Sequence, residues 1–241
     1  MVPFRVAPER ERRTSLVVEG REMPLIVRRH PRARRLTLRL PVGSDGVVVT
    51  IPQRAAFADG VALARKNGAW IAERMGTRPE RVALADGATL PLRGVEHRLR
   101  HVSGAAVGIR AEAGRIIAGG AASSLLARLD AWLRSEARID LSDQVARLAA
   151  GLGRPVGRIS IRDTRSRWGS CSTSGNLSFS WRLILAPPRV LAYVATHELA
   201  HLVERNHGPR FWTLVARLYG DGVADARIWL RRHGPGLHRY G

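Results

Sequence analysis

A single cysteine, Cys171, stands in a chain of 241 residues. That excludes an internal disulfide framework and suits a reducing compartment. Lysine is nearly absent, for Lys66 is the only one among 40 basic residues, and the 20 acidic residues leave a formal net charge of +20. Aromatic residues make up only 5%, too few to alternate with arginines as a single-strand stacking groove requires. No apolar run approaches the length of a membrane span. The segment from Met1 to Arg10 lacks the apolar stretch of a secretory signal. The expectation is a soluble, cytoplasmic protein with no membrane partner.

What is abundant is arginine. Coding bias accounts for choosing arginine over lysine but not for the excess of base over acid. A surface this positive attracts polyanions such as nucleic acid or nucleotides. The arginines are nonetheless spread along the whole chain and not gathered into one arm.

The most informative stretch is His197-Glu198-Leu199-Ala200-His201, continued to Asn206-His207. Residues four apart share one face of a helix, so His197 and His201 can grip one ion. Glu198 stands beside them, close enough to take a proton from a metal-activated water. A continuing helix would turn His207 away, so the helix must stop first. Asn206, in a left-handed conformation, and Gly208-Pro209 supply the expected stop. Two ligands then lie on a helix and the third on the following turn. Val190 to Thr196 make the approach to the motif apolar, which predicts a buried helix. Histidines and a glutamate buried there need a partner, and a cation is the obvious one. Three neutral imidazoles with an open position describe a catalytic Zn2+ site. Cys171 could close such a site, but the plainer reading is a small, incidental thiol.

Around this motif the chain divides at Gly119-Gly120-Ala121-Ala122-Ser123-Ser124, giving a strand-rich region with one helix at 1–120 and a second domain at 121–241. In the first region, Leu25-Ile26-Val27, Leu36 to Leu40 and Val47 to Ile51 read as strands, the last two joined through Gly43-Ser44-Asp45-Gly46 as a hairpin. Ala55 to Met75 reads as one amphipathic helix with Phe57, Val61, Ala64, Trp70 and Ile71 turned inward. A helix from Leu125 to Gly151 follows, with Leu126, Leu129, Trp132, Leu133, Ala137, Leu141, Val145 and Leu148 on its inner stripe and an interruption near Asp140. Ile159 to Arg162 is a strand. Arg165 to Trp181 forms two strands and a turn, Pro187-Pro188 opens the metal helix, and two shorter helices close the chain. No internal repeat is evident.

Arg167-Trp168-Gly169-Ser170-Cys171, Leu183-Ile184, Tyr193-Val194, the histidine motif and Asn206-His207 with Phe211-Trp212 together resemble the YgjP-like metallopeptidase family. Its members are compact relatives of the SprT/Spartan-type zincins. The resemblance is close over 159–230 and looser upstream. It implies an α+β, zincin-like catalytic domain with the metal helix packed on a β-sheet. It also implies His197, His201 and His207 as zinc ligands and Glu198 as general base. Metzincins place glycine three residues after the second histidine, where this chain has Glu204, and Met75 is its last methionine, so that class is excluded.

The leading expectation is thus a zinc-dependent metallopeptidase acting on a peptide or protein. Either Trp168 to Cys171 or Leu177 to Trp181 would be the edge along which substrate lies. Arg167, Trp168, Gly169 and Ser170 are the substrate-binding candidates, and Gly169 would permit a close backbone approach. Trp168 reads equally well as a core aromatic. Tyr193, Tyr219, Arg165, Arg167 and His233 are candidates for stabilising an oxyanion. The alternatives are a metal-dependent nucleotide phosphohydrolase and a nucleic-acid-associated binding protein with a structural metal. Two or three arginines converging on the metal favour phosphate, whereas an open apolar groove favours peptide.

Overall fold

The computed structural model describes residues 10–41, 44–76 and 80–241. Residues 1–9, most of the Met1 to Arg10 segment, and Gly43 of the expected hairpin turn lie outside them. The chain forms two compact units, Met1–Pro79 and Glu80–Gly241.

In the first unit, β1 (Glu11–Val18), β2 (Arg21–Arg29), β3 (Thr37–Arg39) and β4 (Val47–Ile51) form one sheet in the order β1-β2-β4-β3. Glu19 and Gly20 both have positive φ (47° and 75°), as a two-residue turn between β1 and β2 requires. The expected hairpin of β3 and β4 forms, with Thr37 opposite Thr50. The single expected helix is two, α1 (Phe57–Lys66) and α2 (Gly68–Gly76). Between them, the Asn67 side-chain amide donates to the Leu63 carbonyl and caps the first helix. Ala64 and Ile71 are buried as expected, but Trp70 is 41% exposed.

The second unit begins with β5 (Thr89–Leu92), β6 (Val95–Val102), β7 (Ile109–Glu112) and β8 (Arg115–Gly119), ordered β5-β6-β8-β7. Each four-stranded sheet has an antiparallel, a parallel and an antiparallel pairing in that sequence. The same topology is therefore used twice, a repeat that the sequence pattern did not disclose. Arg93 (φ 52°) and Gly94 (φ 78°) form the tight turn that matches Glu19-Gly20.

The boundary between the units lies at Pro79 and Glu80, upstream of the expected division at 120. Leu90, Leu92, Leu99, Ile116 and Ala118 from β5 to β8 share one core with the helices that follow. The glycines at 119 and 120 mark the end of a strand, not of a domain. Next comes α3 (Leu125–Ala149), unbroken at Asp140, burying Leu125, Leu129, Leu133, Ala137, Leu141 and Val145. These recur every four residues and form one stripe, and Leu126, expected on it, is 61% exposed.

Then β9 (Ile159–Arg162), β10 (Gly169–Cys171) and β11 (Leu177–Ser180) make a three-stranded sheet with β11 in the centre. A 3-10 turn (Trp181–Leu185), wholly buried, leads to α4 (Pro188–Ala200), followed by α5 (Pro209–Tyr219) and α6 (Val223–Leu237). The last helix is longer than expected and contains Pro235. The hairpin tip of β5 and β6 positions the start of α4. The backbone N–H groups of Arg93 and Gly94 donate to Ile184 and Leu185 at 2.7 and 3.2 Å. The Arg93 guanidinium meets Glu136 and Asp140 of α3 at 2.8 and 2.7 Å, and these carboxylates raise its pKa further. A Cβ on Gly94 would come within 2.8 Å of Pro187, so only glycine fits there. The architecture is α+β and zincin-like, with the metal helix packed against a sheet.

Candidate metal centre

Nine of the 13 residues of α4 are buried, including Glu198. Pro188 opens the helix, where its missing N–H costs nothing. The helix ends at Ala200, with His201 as its cap, and the chain tightens through i+3 bonds from Leu202 to Leu199 and from Val203 to Ala200. Asn206 has no positive φ, so the left-handed stop expected there is replaced by this tightened turn. Gly208-Pro209 then starts α5.

The result brings His197, His201 and His207 together, with candidate ligand atoms all within 4.8 Å of one another. Nε2 of His207 lies 3.0 Å from Nε2 of His197 and 3.1 Å from Nε2 of His201. The Nδ1 of His201 faces the Glu204 carbonyl at 3.0 Å. A carbonyl only accepts, so Nδ1 carries the proton and Nε2 aims a lone pair inward. Few protons can be shared among three converging Nε2 atoms, and a cation resolves the remaining lone-pair repulsion. Burial, then the charges of His201, His207 and Arg227, holds the His197 imidazole down to about 4. Burial also holds His201 below the usual imidazole range. Both imidazoles are thus neutral near pH 7, as metal binding would demand. This donor set fits a divalent cation with an open position. Cys171 does not join it among the described residues.

Phe211, fully buried, packs its ring against all three imidazoles, at 4.9, 4.6 and 4.7 Å between centroids. It is the apolar platform that fixes their spacing. Glu198 is 6% exposed, and its carboxyl lies against β10, where a Cβ on Gly169 would stand 2.6 Å from its Oε1. Burial pushes this carboxyl up to about 7, opposed by the charge of Arg167. A dication among the histidines would draw it back down.

The substrate-binding candidates separate. Gly169 meets Glu198, and Arg167 is exposed with its charge felt there. Trp168 is half-buried, packs against Gly234 and lies 5.2 Å from the His238 ring, which is a packing role. Ser170 lines a separate depression on the sheet. Since β11 is central and β10 is at the edge, the strand from Leu177 is excluded as a docking edge.

Of the oxyanion candidates, Tyr193 is buried with its ring 6.0 Å from His197. The Tyr219 hydroxyl donates to the Arg189 carbonyl at 2.9 Å, Arg165 acts on Arg182 and His238, and His233 stacks on Trp229. Arg227, on α6, escaped the sequence reading. Its guanidinium sits 4.5 Å over the Trp212 ring, and its charge is felt by both His197 and Tyr193. Arg205, whose charge is felt by His201, donates to the Ser172 and Thr173 carbonyls at 2.9 and 3.0 Å. The charges of three arginines are thus felt at the centre: Arg167 at Glu198, Arg205 at His201 and Arg227 at His197.

A helix-borne histidine cluster with a buried carboxyl beside it, backed by a sheet, is an arrangement suited to a metal-dependent hydrolase. The chain belongs to the YgjP-like family, whose metallopeptidase domain matches residues 34–233. No curated protein sequence is similar enough to match. Among solved structures, the crystal structure of the metallopeptidase zymogen jannalysin of Methanocaldococcus jannaschii is similar over 38% of this chain and 94% of that one. Identity is 19% and the TM-score 0.35. No helix among the described residues is long and apolar enough to cross a membrane.

Proposed function

We propose that the protein is a zinc-dependent peptidase in which Glu198 is the general base and His197, His201 and His207 hold the ion. The observation that carries this is the convergence of three Nε2 atoms beside a buried carboxyl, supported by the family. Held by these three histidines, zinc would lower the pKa of water towards neutrality and polarise a scissile carbonyl. Glu198 accepts the proton of the attacking water and passes it to the leaving amine. Gly169 leaves room for the carboxylate to swing between these two positions. In an antiparallel pair alternate residues point their N–H and C=O at the partner strand. Ser180 bonds to the Trp168 carbonyl and Ser172 to the Asn176 carbonyl, so Gly169 and Cys171 turn their backbone groups to the free edge. An extended peptide adds there as a further strand. Elemental analysis of protein purified without added metal tests the centre. Near-stoichiometric zinc, much reduced in His207→Ala, is expected, with peptide hydrolysis lost in Glu198→Gln. An empty protein that takes up no added zinc sinks the reading.

The three arginine charges felt at the centre favour a second reading, hydrolysis of a nucleotide phosphate ester. Turnover of nucleoside triphosphates, abolished by Glu198→Gln with no peptide cleavage, would establish it instead. In this reading the basic surface draws in nucleotides; in the first, it draws in acidic polypeptide. Cytoplasmic residence accords with the single free thiol.

A further inference from the structure

The outer face of the β9-β11-β10 sheet carries a depression of about 360 Å³. The strand registers explain its chemistry. Leu177 and Phe179 of β11 are buried, and Ile159, Ile161, Gly169 and Cys171 are their cross-strand partners. These residues face the core. The alternate positions must face the other way. Ser170, Ser178 and Ser160 stand directly opposite one another and form a row of hydroxyls across all three strands. Arg158, Arg162 and Arg167, all exposed, surround the row. No carboxylate and no aromatic side chain lines the depression, and none of these arginines forms an ion pair among the described residues.

A hollow with three cations, several hydroxyl donors and no acid is complementary to an anion. Its position says which one. It begins on β10, the edge strand whose Gly169 meets the Glu198 carboxyl. A peptide paired to that edge sends successive side chains alternately to the metal side and to this outer face. Without an aromatic platform, the hollow offers nucleobases nothing to stack on.

We propose that this depression is a subsite for the acidic side chains of a peptide substrate, so that the enzyme selects extended, acid-rich segments. The proposal rests on the peptidase reading for its role, but binding tests it independently of turnover. A fluorescent peptide alternating glutamate and alanine is titrated into zinc-loaded Glu198→Gln protein, beside its glutamine-alanine counterpart. The acidic peptide should bind about tenfold more tightly or better, and Arg158→Gln with Arg162→Gln should erase that difference. Both arginines are exposed, so a melting curve unchanged from that of the parent certifies the fold.

Equal affinity for the two peptides, or an acidic preference untouched by the double substitution, overturns the proposal. So does an oligothymidylate that outcompetes the acidic peptide at the same arginines, since the hollow would then be a nucleic-acid site. Cleavage of neutral peptides as fast as acidic ones would leave the peptidase standing and remove the subsite. Arginine-dependent capture of acidic peptide with no peptide cleaved by the parent enzyme would do the reverse.

Discussion

A Cβ on Gly169 would lie 2.6 Å from the Oε1 and the Cγ of Glu198, so the strand beside the metal centre is glycine at the one point where the carboxylate touches it. Gly169→Ala cannot be accommodated without moving one of the two. The helix is anchored by nine buried residues, and the side chain is therefore the part that gives way. Displacement of a base by about 1 Å costs on the order of a hundredfold in rate. Gly169→Ala should lose that much in kcat while keeping its zinc and its melting temperature. An alanine variant with full activity would show that the carboxylate does not work from the position seen here.

The three-histidine centre predicts coupling between metal and stability. Zinc at a thousand times its dissociation constant adds about 4 kcal/mol to the folded state. Stripping the protein with a chelator should lower its melting temperature, and zinc should restore it. His207 comes from the turn between α4 and α5 and is exposed, so His207→Ala keeps the nine buried residues of α4 yet should abolish the zinc-dependent rise. A rise of equal size in that variant would mean that the stabilising ion sits elsewhere.

Much of this centre was legible in the sequence, and for a definite reason. The four-residue spacing of His197 and His201 and the glycine-proline break before α5 are local constraints, and local geometry is what a sequence pattern encodes. Phe211 and Arg227 were not legible in the same way. Phe211 is four residues beyond His207, but its contact with all three imidazoles depends on how α5 folds back over α4. Arg227 lies 30 positions after His197, and only the packing of α6 brings its charge near. The placing of the division at 120 had a related cause. Gly119 and Gly120 signal a chain reversal, whereas the continuity of the core runs through Leu90, Leu99 and Ile116, which no local pattern connects to α3. The doubled sheet topology was hidden too, because pairing order follows from long-range contacts and not from hydrophobic alternation.

Arg227 makes a prediction of its own. Its guanidinium is held over Trp212, and the Trp212 ring in turn stacks on His207 at 6.0 Å. That places a fixed positive charge on the side of the centre where Tyr193 lies. Negative charge developing on a reacting oxygen is stabilised by such a group, and loss of one donor of this kind costs about 100- to 1000-fold in kcat. Arg227→Ala should approach this range with KM changed little, and Arg227→Lys should recover part of it. An effect confined to KM would assign Arg227 to ground-state binding instead.

His238 supplies the pH dependence. Its Nδ1 is buried without a hydrogen-bond partner among the described residues, and its ring lies 5.2 Å from that of Trp168. Burial, then the charges of Arg182 and Arg165 against that of Asp163, holds its imidazole down to about 4, from an ordinary value of 6.5. As pH falls below 6.5, the unfolded chain takes up this proton before the folded one does. The folded state must therefore lose stability between pH 6.5 and about 4, and keep it unchanged above. His238→Phe removes the titrating group while preserving a ring against Trp168. Urea unfolding across this range should show a shallower decline in the variant than in the parent. Since α6 carries both Arg227 and the packing surface of Trp168, acid loosening should also reach the catalytic side. Trp168 fluorescence should then change in the parent at a pH where the variant is still native. Parallel declines in the two proteins would instead place the acid sensitivity in another group.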